Sequence, residues 1–140
     1  MTGFQGRPLP RANAEAGWPS GRVVADRLYI LKPDFADAGV KQFCSECAMV
    51  EGMLSFYPNL RHKVHVNYVG FTKPRKEIVK ELGPDHQSSP VLVLDAATKL
   101  PSSLPTSVVV QESEGKRFIN DPYGICDYLA ATHGTGQIRR

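Results

Sequence analysis

From Arg27 onward the chain alternates short apolar runs with amphipathic stretches. Leu28-Tyr29-Ile30-Leu31 is an apolar run stopped by Lys32-Pro33-Asp34, which predicts a buried strand. Phe35 to Phe43 holds only scattered apolar residues around Asp37 and Gly39 and reads as a loop. From Cys44 to Tyr57 the apolar positions 43, 47, 50, 54 and 57 recur at three and four, marking one face of a helix that Pro58 ends. Val64-His65-Val66-Asn67-Tyr68-Val69 alternates as a strand does. Thr72-Lys73-Pro74 opens a second helix with proline in its first turn, Ile78, Val79 and Leu82 form its apolar face, Gly83 closes it and Pro84 prevents continuation. Pro90 to Asp95 is apolar on both faces and predicts a central strand, followed by a polar loop over 96–106. Val108-Val109-Val110, then Glu112-Ser113-Glu114-Gly115, then Lys116-Arg117-Phe118-Ile119 read as a hairpin. Asp121 caps a last helix with Pro122 in its first turn and Ile125, Tyr128 and Leu129 inside, ending before Gly134.

The order strand, helix, strand, helix, strand, strand, helix (βαβαββα) predicts an α/β domain. Its mixed four-stranded sheet, flanked by helices, starts with a parallel pair joined by a right-handed crossover. Residues 1–25 are rich in Gly, Pro, Ala and Arg, show no hydrophobic period, place a turn at Trp18-Pro19-Ser20-Gly21 and read as a leader. The domain is expected over 26–135, with a tail over 136–140.

A chain of 140 residues, 41% hydrophobic and 22% charged, is long enough for one domain with a core and too short for a cofactor domain plus a substrate domain. Seventeen basic and 14 acidic residues leave a net charge of +3, a weak argument for nucleic-acid binding. Part of the excess sits in Arg7, Arg11, Arg22, Arg139 and Arg140, read as solvated ends. No apolar run approaches the ~20 residues of a membrane span, and the first ten residues lack the apolar stretch of a secretion signal. A cytoplasmic protein is therefore expected, with no membrane or nucleic-acid partner. Three cysteines in a reducing compartment do not make a disulfide framework.

Cys44 and Cys47 stand three apart at the start of a predicted helix. The first amides of a helix are unpaired and its dipole is positive there, so a thiolate is stabilised. A residue three further on shares the same side of the helix and can close a disulfide with the first. Cys44 is then the exposed nucleophile and Cys47, on the apolar stripe, the buried resolving thiol. Glu46 places a negative charge inside the motif and Lys41 a positive one just upstream. Two other readings stay open. Both cysteines are small core residues, or they are metal ligands together with Cys126, His62, His65, His86 or His133. No second close pair of ligands supports a metal, and none is expected. Cys126 reads as a packing residue.

In these motifs the chain resembles the thioredoxin superfamily, in particular its glutaredoxin-like and glutathione-transferase N-terminal branches. The resemblance lies in Lys41-Gln42-Phe43-Cys44-Ser45-Glu46-Cys47 after the first strand, in Ser88-Ser89-Pro90 entering Val91-Leu92-Val93-Leu94, in the hairpin, and in Phe118 to Leu129. Val50-Glu51-Gly52-Met53-Leu54 and Pro74-Arg75 are also similar to a bacterial thioredoxin-like family that brings no known reaction with it. The resemblance implies a thioredoxin-like fold over roughly 27–134 and a cis bond before Pro90, which proline tolerates at only ~0.5–1 kcal/mol over trans. It implies substrate contacts from Ser89 and Pro90 by strand-like pairing, from Lys41 to a carboxylate, and from the helix start at Asp121 to the γ-glutamyl end of glutathione.

The motif interior, Ser45-Glu46, departs from the Gly-Pro of thioredoxins and the Pro-Tyr of glutaredoxins. Phe43 stands where thioredoxins carry tryptophan, and Ser89 where they usually carry threonine or valine. No all-helical second domain follows Gly134, so transferase activity is not expected. The expected function is thiol–disulfide oxidoreduction on protein or low-molecular-weight disulfides, with glutathione as co-substrate and no tightly bound cofactor. The alternatives are a non-catalytic binding module of the same fold and a metal-binding module.

Overall fold

The computed structural model describes residues 25–140. Its first strand, β1 (Arg27–Leu31), lies inside the sheet, pairing in parallel with β4 (His65–Val69) and antiparallel with β5 (Val91–Val93). β7 (Lys116–Ile119) lies antiparallel beside β5, and β6 (Gln111–Ser113) closes the edge, giving the sheet order β4-β1-β5-β7-β6. The fold is therefore α/β on a mixed sheet of five strands, not the four expected, because both arms of the hairpin join it.

Helices cover both faces. Asp26 meets Tyr128 of α3 (Pro122–His133), whereas Arg27 and Tyr29, pointing the other way, reach Glu81 of α2 (Lys76–Leu82). α1 (Ser45–Phe56) packs beside α3. With a strand period of two, one face of β1 serves α1 and α3 and the other serves α2. Leu28, Leu54, Leu92, Phe118, Ile119, Ile125 and Leu129 form a continuous core. No helix of the described residues is long and apolar enough to cross a membrane.

Several elements differ from the sequence pattern for identifiable reasons. Residues 35–43 are not a loop but a second hairpin, β2 (Phe35–Asp37) and β3 (Val40–Gln42). Ala38 and Gly39 both have positive φ, 53° and 78°, the backbone of a tight two-residue hairpin turn. Its apolar anchor is a long-range one, the Phe35 ring stacked on Phe71 at 4.1 Å. In the later hairpin Glu114 and Gly115 hold the turn, with φ of 54° and 74°. That turn forces Ser113 to face Lys116, so the first arm is Gln111–Ser113 rather than Val108–Val110. The second helix begins at Lys76 after Arg75, with Pro74 outside it in a cis peptide with Lys73. On α1, Cys47, Val50 and Leu54 are buried as expected, but Phe43 and Tyr57 lie on the surface and Met53 takes a core place.

The ends also differ. Ala25, assigned to the leader, is buried at the start of the domain; the rest of the leader, including the Trp18–Gly21 turn, Arg7, Arg11 and Arg22, lies outside the described residues. The tail over 136–140 is mostly exposed but makes contacts with the domain: Ile138 rests on the core, and Arg140 pairs with Asp127 and stacks 4.8 Å over the Tyr123 ring. Arg140 is thus an exposed terminal charge that also has a partner on α3.

Candidate functional site

The hairpin β2–β3 delivers the chain through Phe43 to Cys44, the N-cap of α1. Cys44 has extended backbone angles, and its sulfur accepts the Cys47 amide hydrogen at 3.1 Å. A sulfur here fills the role that serine or aspartate usually fills at a helix start, satisfying one of the unpaired amides. Cys44 is half-buried, whereas Cys47, one turn inside, is 3% exposed. All three cysteines are free thiols.

Cys47 is held from two sides. The Leu31 amide at the end of β1 donates to its sulfur at 3.4 Å, and the Ser89 hydroxyl lies 3.5 Å from it. Burial pushes the Cys47 thiol up to about 11, with the neighbouring Cys44 adding to the rise and the Leu31 amide opposing it. Cys126, on α3, is likewise pushed up to about 11 by burial, with Asp127 and Asp121 adding to it. It lies in the core of the α1–α3 side, as a packing residue does.

Ser89 connects the two cysteines to the sheet. Its hydroxyl donates to the Tyr29 carbonyl at 2.9 Å, and its own carbonyl lies 3.9 Å from the Cys44 sulfur. The Ser89–Pro90 peptide is cis, and Pro90 is buried at the head of β5. The start of α3 reaches the same loop through Asn120, whose amide donates to the Ser88 hydroxyl at 3.4 Å. Asp121 caps that helix, accepting from the Gly124 amide at 2.8 Å.

Cys44, Cys47, Ser89 and Pro90 thus come together, with Asp121 at the adjoining helix start. Lys41 does not join them through any contact: it is exposed on β3, and among the described residues it makes no hydrogen bond or ion pair. Among the described residues no three His, Cys, Asp or Glu side chains converge as metal ligands.

Beside the two sulfurs runs a groove of about 340 Å³, lined by Leu31, Pro33, Phe43, Ala48, Glu51 and Tyr68 together with both cysteines. Phe43, 68% exposed, forms its rim. At its far end Tyr68 donates to Glu51 at 2.7 Å, and Arg61 pairs with the same carboxylate, so that charge is neutralised. Sequence reasoning missed this wall, because Tyr68 and Arg61 reach Glu51 only through the fold. It also missed Arg75 and Gln87, which anchor the loop before Ser89. The Arg75 amide donates to Gln87 Oε1 at 2.8 Å and its Nη1 to the Gln87 carbonyl at 2.9 Å.

No curated protein matches the chain, and no solved structure matches it. A family model described as "Protein of unknown function (DUF3088)" matches residues 25–137. That match covers most of the sequence, and the chain belongs to the DUF3088 family.

Proposed function

We propose that the protein is a thiol–disulfide oxidoreductase of thioredoxin or glutaredoxin type, working through Cys44 and Cys47. The observation that carries this reading is the sulfur of Cys44 at the N-terminus of α1, bonded to the Cys47 amide, with the Cys47 thiol buried behind it and Ser89 against both. A thioredoxin-like fold is supported by the order β4-β1-β5-β7, by the parallel β1–β4 pair with antiparallel β5 and β7, and by helices on both faces; β6 is then an added edge strand.

Cys44, as the thiolate, attacks one sulfur of a substrate disulfide, and the other sulfur leaves as a thiolate that takes up a proton. The Cys47 thiol then loses its proton and attacks the Cys44 sulfur of the mixed disulfide, releasing the second substrate thiol. The substrate gains two electrons and two protons, and the protein is left with a Cys44–Cys47 disulfide. Two molecules of glutathione, or a dithiol reductase, return the pair to thiols. Helix capping serves the first step by holding the half-buried Cys44 sulfur at the start of α1, where a substrate disulfide can reach it. Burial serves the second by keeping Cys47 protonated until the mixed disulfide forms.

The test is a titration of purified protein in glutathione redox buffers, with thiols trapped and located by mass, alongside a disulfide-reduction assay. A reversible Cys44–Cys47 disulfide, loss of activity in Cys44→Ser and accumulation of a mixed disulfide in Cys47→Ser are expected. Full reductase activity in Cys44→Ser overturns the mechanism. A second reading, a binding module of the same fold, is favoured by the exposed Phe43 on an apolar groove. It predicts partner capture that persists in Cys44→Ser and in the presence of reductant.

A further inference from the structure

Arg75 is 8% exposed, yet among the described residues it has no carboxylate partner. A buried guanidinium is costly unless its donors are used. Here they are used on backbone. Nε donates to the Phe71 carbonyl at 2.9 Å, Nη1 donates to the Gln87 carbonyl at 2.9 Å, and the group lies 5.4 Å over the Phe71 ring. Gln87 answers through its own side chain, accepting from the Arg75 amide at 2.8 Å while its Nε2 donates to the Pro84 carbonyl at 2.9 Å. The clasp joins the segment before α2 to the segment after it.

Both ends of the clasp lead to the cysteines. Phe71 stacks on Phe35 in the hairpin that runs into Cys44. Gln87 stands two residues before Ser89. The single hydroxyl hydrogen of Ser89 is committed to the Tyr29 carbonyl, so toward Cys47 its oxygen acts as an acceptor and the thiol as the donor. That hydrogen bond exists only while Cys47 is a thiol.

We infer that Arg75 is a positioning residue for the redox pair: through Gln87 it fixes Ser89 against Cys47 and so favours the reduced, dithiol state. The inference rests on the redox reading of Cys44 and Cys47 and adds to it a residue that touches neither sulfur. Arg is required over Lys, because only a planar fork serves the Phe71 and Gln87 carbonyls together.

The experiment equilibrates the full chain with glutathione and glutathione disulfide and measures the fraction of Cys44–Cys47 disulfide. In this exchange the two protein thiols give two electrons and two protons to glutathione disulfide, which becomes two glutathiones. Ser89→Ala, Arg75→Met and the double variant are compared with the parent, and circular dichroism reports whether each is folded. Loss of one hydrogen bond from the thiol state makes the disulfide about three- to tenfold easier to form. That shift is expected in each single variant, with no further shift in the double variant, since Arg75 acts through Ser89. Gln87→Leu, which removes the acceptor for the Arg75 amide and leaves the charge, is the second variant and is expected to shift the same way. Parent-like equilibria in folded Arg75→Met or Gln87→Leu, or additive shifts in the double variant, overturn the inference. A parent protein that forms no Cys44–Cys47 disulfide at any buffer ratio overturns the redox reading itself, and the inference with it.

Discussion

Tyr128, in the middle of α3, donates its phenolic hydrogen to the buried carboxylate of Asp26 at 2.6 Å, across a sequence separation of 102 residues. The same carboxylate accepts from the Thr98 hydroxyl at 2.7 Å and from the Asp95 amide at 2.8 Å. The entrance to β1, the loop after β5 and the last helix are thereby tied at one point. Tyr128→Phe removes one donor and keeps the ring, leaving Asp26 short of a partner. The expected loss is about 1–3 kcal/mol of unfolding free energy, measured by urea denaturation. An unchanged midpoint and slope contradict the assignment.

A second buried carboxylate, Glu81, leads to a prediction about acid stability. Burial alone opposes ionisation of Glu81, but hydrogen bonds from Arg27, Tyr29 and Lys116 outweigh it and hold the group at about 2, below its ordinary 4.5. A depressed carboxylate contributes stability that is fully present above the unfolded value and lost as pH falls from about 4.5 toward 2. Glu81→Gln should therefore lose about 1–3 kcal/mol at neutral pH. It should also show a flatter decline of stability between pH 5 and pH 2. A variant whose acid limb parallels the parent's rules out Glu81 as its source.

Thiol chemistry should be selective. Cys44 is half-buried at a helix start, whereas Cys47 and Cys126 are buried thiols pushed up to about 11. Native reduced protein at pH 7 should take up one equivalent of iodoacetamide, at Cys44, and all three only after unfolding. Mass mapping of the modified peptides decides it. Native labelling of Cys47 at a rate comparable to Cys44 removes the division between exposed and buried thiol.

Gly83 ends α2 with φ at 86° and ψ at 171°, a backbone region essentially closed to residues with a side chain. A Cβ there also comes within 3.1 Å of the Glu114 carboxylate. Gly83→Ala should cost about 1–3 kcal/mol of unfolding free energy. Thermal unfolding checks it, and a midpoint equal to the parent's contradicts the strain argument.

What was legible in the sequence was local. Val91-Leu92-Val93 reads as central because it is apolar on both faces, and it pairs on both sides. Asp121-Pro122 reads as a helix start because the cap and the proline are adjacent, and α3 starts there. Cys44 and Cys47 read as a pair because their spacing is that of a helix turn. The illegible parts depend on partners far along the chain. The β2–β3 hairpin is short and polar, and its anchor, Phe71, lies 36 residues after Phe35. Arg75 looks like any surface arginine, since nothing in Pro74-Arg75-Lys76 announces that Phe71 and Gln87 will turn their carbonyls toward it. The clustering of Arg27, Tyr29 and Lys116 on Glu81 is likewise a property of the folded sheet.

Because the first turn of α1 is capped by a sulfur, any chemistry at that sulfur is registered on the backbone. The Cys47 amide hydrogen rests on Cys44 Sγ at 3.1 Å, and alkylation, mixed-disulfide formation or closure of the pair changes the acceptor it sees. Its nuclear magnetic resonance and its exchange with solvent are therefore an intrinsic readout of the state of Cys44, available without a label and without knowing the substrate.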